Sequence, residues 1–120
     1  MFFLKFVLTK GTIIKYPDPE NLDYEYHFSD NFRVAEATGK IVGLTGVTTK
    51  TTVHLYLQKY EDGEWVDIAD WISSNNSVNT TLVKTKSVDK GYTYRAKASC
   101  YAYSGSAYEN VVRYSSEITY

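Results

Sequence analysis

The sequence predicts an all-β protein, an antiparallel β-sandwich of seven or more strands in one domain covering residues 1–120. Three observations carry this. The first is the stretch 92–103, which alternates without a break. Tyr92, Tyr94, Ala96, Ala98, Cys100 and Ala102 fall on one face, and Thr93, Arg95, Lys97, Ser99, Tyr101 and Tyr103 on the other. A small or apolar face backed by a polar one, at period two, is the pattern of a half-buried strand. The second is the recurrence of such runs at short spacing, divided by Gly, Pro, Asn and Asp. The third is that no stretch has the length and periodicity of a helix. Pattern alone does not exclude a barrel, but many short strands at this spacing fit a sandwich better.

The elements follow in order. Phe2–Thr9 and Thr12–Tyr16 read as short strands around Lys10-Gly11, and Pro17-Asp18-Pro19 then breaks the chain. Tyr24, Tyr26 and Phe28 alternate with polar residues as a further strand. Phe32–Leu44 is less regular, and Gly39 and Gly43 within it signal a bulge or a close backbone approach. Thr51–Tyr60 alternates cleanly, with Val53, Leu55 and Leu57 on one side and His54, Tyr56 and Gln58 on the other. Glu61-Asp62-Gly63 joins it to Glu64–Trp71 as a hairpin, in whose second arm Val66 and Ile68 are expected to face opposite Trp65 and Trp71. Ser73–Ser77 reads as a polar loop, Val78–Val88 as a Thr-rich strand, and Gly105 as the centre of a turn. Val111–Tyr120 reads as the last strand, carrying Val112, Tyr114 and Ile118. Residues 32–120 form the main sandwich in this reading, with 1–30 supplying extra strands or an arm.

The approach Val88-Asp89-Lys90-Gly91-Tyr92-Thr93-Tyr94-Arg95 resembles the entry to the sixth strand of fibronectin type III and related immunoglobulin-like sandwiches. The resemblance implies that Tyr94 forms the tyrosine corner, its ring in the core and its hydroxyl bonded to nearby backbone. Together with Leu57-Gln58-Lys59-Tyr60, Gly63-Glu64-Trp65, Trp71 and the closing Tyr114–Tyr120, residues 32–120 also resemble small secreted proteins of Gram-positive bacteria. That resemblance implies a secreted or cell-surface location and carries no catalytic residues. No signal peptide is evident in the chain. Met1–Leu8 is apolar but too short to span a bilayer, is interrupted by Lys5, and lacks a small-residue cleavage pattern. It reads as an edge strand or one exchanged between copies, hence a route to a homo-oligomer, with a remnant export signal or a membrane-binding segment as the alternatives.

Composition narrows the function classes. A net charge of −1, with basic and acidic residues interspersed, offers no basic face for nucleic acid. Cys100 is the one cysteine, so there is no internal disulfide, and its place on the Ala face marks a buried, inert thiol. His27 and His54 are far apart in sequence, the carboxylates cluster at a hairpin tip, and the glycines form no phosphate loop. No cofactor or metal is implied. Twelve tyrosines exceed what a core of this size readily hides. Parity turns Tyr56 and His54 away from the Val/Leu face and Tyr101 and Tyr103 away from the Ala face. In an immunoglobulin-like sandwich the third and sixth strands are neighbours, so these rings would share one exposed stripe, with Trp65 or Trp71 beside it. A stripe of this kind fits a non-catalytic interaction module that binds protein or associates with itself. A carbohydrate-binding module and a small secreted glycan hydrolase are the alternatives. A cover formed by residues 1–30, or simple cross-strand stabilisation of the sheet, would remove the stripe from function.

Overall fold

In a computed structural model, which describes residues 5–14 and 32–119, the described residues form eight strands in two antiparallel sheets. They are β1 (Lys5–Ile14), β2 (Phe32–Val42), β3 (Lys50–Glu61), β4 (Glu64–Asn75), β5 (Asn79–Asp89), β6 (Thr93–Ser104), β7 (Ala107–Tyr114) and β8 (Ile118–Thr119). The first sheet has the order β1-β2-β5 and the second β4-β3-β6-β7, with β8 pairing β6 beyond the end of β7. No ladder joins the two sheets among the described residues, so the architecture is a sandwich, not a barrel.

Turn chemistry sets the hairpins. Asp62 and Gly63 both have positive φ, 53° and 81°, the requirement of a two-residue turn whose twist matches its strands. The β6–β7 hairpin closes around Gly105, again with positive φ, and Ser104 pairs with Ala107 across it. The last predicted strand is divided. β7 begins at Ala107 and stops at Tyr114, where Ser115 bonds Ala96 through both its amide and its hydroxyl, before Ile118 resumes pairing with Tyr94. The predicted polar loop at 73–77 is shorter than expected, because β4 continues to Asn75. Tyr92 sits in the turn ahead of β6 and is exposed, with the Lys59 ammonium 3.7 Å from its ring centre.

At the N-terminus, β1 pairs with β2 in the same chain, with a register shift between Thr9 and Thr12 around the expected Lys10-Gly11 break. The predicted strand at Tyr24–Phe28, and with it His27, lies outside the described residues.

The core lies between the sheets. From the first sheet come Ala37, Ile41 and Leu82, and from the second Val53, Leu55, Ala96, Ala98, Cys100 and Ala102. A second cluster joins Ala35 and Val88 to Leu57 and Tyr94. Beyond Tyr94 the inner face of β6 carries only the small residues Ala96, Ala98, Cys100 and Ala102, which lets the sheets approach closely. Gly39 lies opposite, and a Cβ there would sit 2.9 Å from Val53 Cγ1 and 3.3 Å from a Leu55 methyl. Glycine is used here for a close approach, and β2 keeps an unbroken ladder with β5. At one end of the core Thr51 and Thr80 are buried and hydrogen-bonded to each other at 2.6 Å, so their hydroxyls do not go unpaired.

The sequence-based parity of β4 requires correction. A register shift opposite Leu57/Gln58 inserts an extra residue at Ile68, because Leu57 pairs Ala69 and Gln58 pairs Asp67. Such a bulge reverses side-chain parity beyond it. Trp65 and Trp71 therefore lie on opposite faces of the sheet. Trp71 pairs Leu55 and packs against both core clusters, joined by Ile68 at the second, whereas Val66 is exposed near the hairpin end.

Candidate functional site

The face of the second sheet that points away from the core carries most of the aromatic surplus. β3 and β6 are paired over their whole length, so alternation in each projects outward residues in matched rows: Lys50 with Tyr103, Thr52 with Tyr101, His54 with Ser99, Tyr56 with Lys97, Gln58 with Arg95. β7 adds Tyr108 beside Tyr103 and Tyr114 beside Lys97, while β4 adds Asp70 beside Tyr56 and Trp65 beside Tyr60. Rings and hydrogen-bonding groups thus alternate across the face.

Three clusters make up this surface. At one end the rings of Tyr101, Tyr103 and Tyr108 stand with centroids 5.7 to 6.2 Å apart, and the Lys50 ammonium lies 5.0 Å from Tyr103. Thr49 fixes this end, its amide bonding Tyr103 O at 2.7 Å and its hydroxyl accepting from Gly105 N at 3.1 Å. Tyr108 is 61% exposed, so the group opens to solvent.

In the middle, Asp70, His54 and Tyr56 form a hydrogen-bonded chain. The Asp70 carboxylate accepts from His54 Nε2 at 2.8 Å, and His54 Nδ1 lies 3.0 Å from the Tyr56 hydroxyl in a second hydrogen bond. The His54 and Tyr56 rings stack at 4.2 Å, and Lys97 lies 5.0 Å from the Tyr56 ring. Partial burial, with the Asp67 and Asp70 charges behind it, raises the Tyr56 pKa and keeps its proton in place. Lys97 remains to donate and the Tyr56 and Asp70 oxygens to accept.

At the other end the Arg95 guanidinium lies 4.2 Å from the ring centres of both Trp65 and Tyr114. Its Nε donates to Gln58 Oε1 at 2.7 Å, and Gln58 in turn donates to the Asp67 carboxylate at 2.7 Å. Tyr60 meets the Trp65 ring edge-on at 5.1 Å.

Of the residues singled out from the sequence, Tyr101 and Tyr103 share a cluster, and His54 and Tyr56 share the next one. Trp65 lies on the same face beside Arg95, and Trp71 is removed from it by the β4 bulge. Tyr94 is buried and its hydroxyl donates to the Asp89 carbonyl at 2.7 Å, five residues upstream at the β5–β6 corner. Cys100 is fully buried, and loss of solvent raises its thiol to about 12, beyond the reach of ordinary thiolate chemistry. Tyr108, Tyr114 and Arg95 join the site only in the structure. Tyr108 was legible in principle, because a two-residue turn at Gly105-Ser106 sets it directly opposite Tyr103. Arg95 carries no local mark; its importance comes from rings on two other strands.

Among the described residues, no group of three or more His, Cys, Asp or Glu side chains is placed to hold a metal ion. The hairpin-tip carboxylates Glu61, Asp62 and Glu64 are all exposed. No helix among the described residues is long and apolar enough to cross a membrane, a statement that does not bear on strands.

Neither a protein-family model nor a curated protein matches the chain. Among solved structures, one similar chain belongs to a candidate β-galactosidase from Bacteroides fragilis, with a TM-score of 0.49 and 10% sequence identity. The match covers 92% of this chain and only 15% of that one.

Proposed function

We propose that the chain is a non-catalytic, fibronectin type III-like module that binds glycans through the outer face of its second sheet. The observation that carries the reading is the interleaving of rings with polar groups on that face. Tyr101, Tyr103 and Tyr108 supply rigid, amphipathic contact surface, while the Lys97 ammonium offers donors and the Tyr56 and Asn110 side-chain oxygens offer acceptors beside them. A sugar ring has the matching character, an apolar C–H face bordered by hydroxyls. A protein interface more often gathers its apolar residues at the centre and places polar ones around them.

The fold assignment is supported by the adjacency of β3 and β6 and by the Tyr94 hydroxyl bonded back to Asp89 at the β5–β6 corner. In this reading the protein acts in secreted form or at a cell surface, as its resemblance to exported Gram-positive proteins implies. Screening wild type and the Tyr101→Ser/Tyr103→Ser/Tyr108→Ser variant on a glycan array tests the proposal. Wild type should retain a defined set of glycans and the variant should lose them while melting normally. An empty array for wild type rejects the reading.

Protein binding or self-association is the second reading. It is favoured by the exposure of Ile72, at 65%, on the same face, and by β1, an edge strand that two copies can exchange. Light scattering of the intact protein separates the two: a glycan module needs no second copy, whereas exchange gives a dimer.

A further inference from the structure

The Arg95 guanidinium is held from three directions and yet left with work to do. Trp65 from β4 and Tyr114 from β7 each lie 4.2 Å from its centre, and Gln58 from β3 engages its Nε. The neighbouring Asp67 does not pair with it. That carboxylate is engaged by the Gln58 amide, which turns Gln58 Oε1 toward the arginine. Arg95 makes no ion pair, and neither of its terminal nitrogens makes a hydrogen bond. Among the described residues no buried side-chain nitrogen or oxygen lacks a partner. The terminal nitrogens of half-buried Arg95 therefore reach solvent. A guanidinium fixed by aromatic faces, with its fork open, matches a planar pair of anionic oxygens at little ordering cost.

We infer that Arg95 is a carboxylate-binding subsite and that the glycan taken by this face carries uronate groups. The inference rests on the glycan reading above and adds the chemical class of the ligand. Two features favour a carboxylated sugar. Lys97 lies two residues along β6 on the same face and makes no ion pair, and the nearby Asp67 and Asp70 carboxylates are engaged by Gln58 and His54, so two cations on β6 are left to meet the anion. The strip then runs to Tyr103, about 26 Å away for eight residues of strand, a length that suits an extended oligosaccharide.

Titration calorimetry with oligogalacturonide and with its methyl ester tests this on the intact protein. The two probes share every ring and differ only in the charged carboxylate. The acid should bind about ten- to hundredfold more tightly than the ester, and its advantage should shrink with added salt. Arg95→Lys keeps the charge but loses the fork, and Arg95→Gln loses both. Each should reduce the acid-to-ester ratio toward one. A purely structural arginine would lower both affinities by the same factor and leave the ratio unchanged, and that result overturns the inference. Equal binding of acid and ester by wild type also overturns it and leaves glycan binding standing. Binding of neither probe, on a protein whose array retains neutral glycans, overturns the uronate inference alone. Binding of neither, together with an empty array, overturns both readings.

Discussion

Tyr94 illustrates how much one side chain holds in place. Its ring fills the cluster between Ala35, Leu57 and Val88, and its hydroxyl ties the β5–β6 corner to the strand it begins. Removing the hydroxyl leaves the Asp89 carbonyl short of a partner while the ring stays packed. Tyr94→Phe should therefore cost about 1–3 kcal/mol, read as a lower urea midpoint with an unchanged slope. An unshifted midpoint would show that the corner bond adds nothing to stability. Cys100, a few residues along the same strand, contributes volume and not reactivity, since its burial keeps the thiol protonated up to about pH 12. The unfolded chain loses that proton near the ordinary thiol value while the folded one retains it. The contribution of Cys100 to stability is thus constant below that value and declines as pH rises toward 12.

At the scale of elements, β4 decides which aromatics belong to the core and which to the surface. The extra residue at Ile68 sends Trp71 inward against both core clusters and Trp65 outward beside Arg95. Trp71→Ala should destabilise by about 3–5 kcal/mol through the cavity it leaves. Trp65→Ala should cost about 1 kcal/mol, mainly through the lost cation–π contact with Arg95. Melts of the two single variants measure the contrast, and similar costs would contradict the placement of the bulge. β5 manages a different problem. It is an edge strand, and Lys84 and Lys86 occupy its core-facing parity yet remain exposed. Inward-facing charges on an edge oppose pairing with a second chain.

For the whole molecule, the first sheet depends on its N-terminal strand. β2 is central only because β1 covers one side of it, from Lys5 opposite Val42 to Ile14 opposite Val34. Deleting residues 1–14 would turn β2 into a free edge beside the buried Ala35, Ala37 and Ile41. We expect a lower melting temperature, or association of the truncated chains through that edge, seen as a rise in mass by light scattering. Unchanged melting and unchanged mass would show that the strand is dispensable.

The sequence by itself determined the class of fold, the strand character of β3 and β6, the hairpin that turns at 61–63 and the division of β6 into a small inner and a polar outer face. These follow from period-two alternation and from local turn chemistry, both properties of neighbouring residues. Parity also identified Tyr56, Tyr101, Tyr103 and His54 as outward-facing. Only the tertiary structure decided the rest. The β4 bulge depends on how two strands register and leaves no mark in either strand alone, so Trp71 could not be separated from Trp65 by counting residues. The pairing of His54 with Asp70, and the clamp of Trp65, Gln58 and Tyr114 around Arg95, join residues distant in sequence on separate strands. Such contacts exist only after the sheet is assembled, because cross-strand neighbours are set by register and not by spacing along the chain.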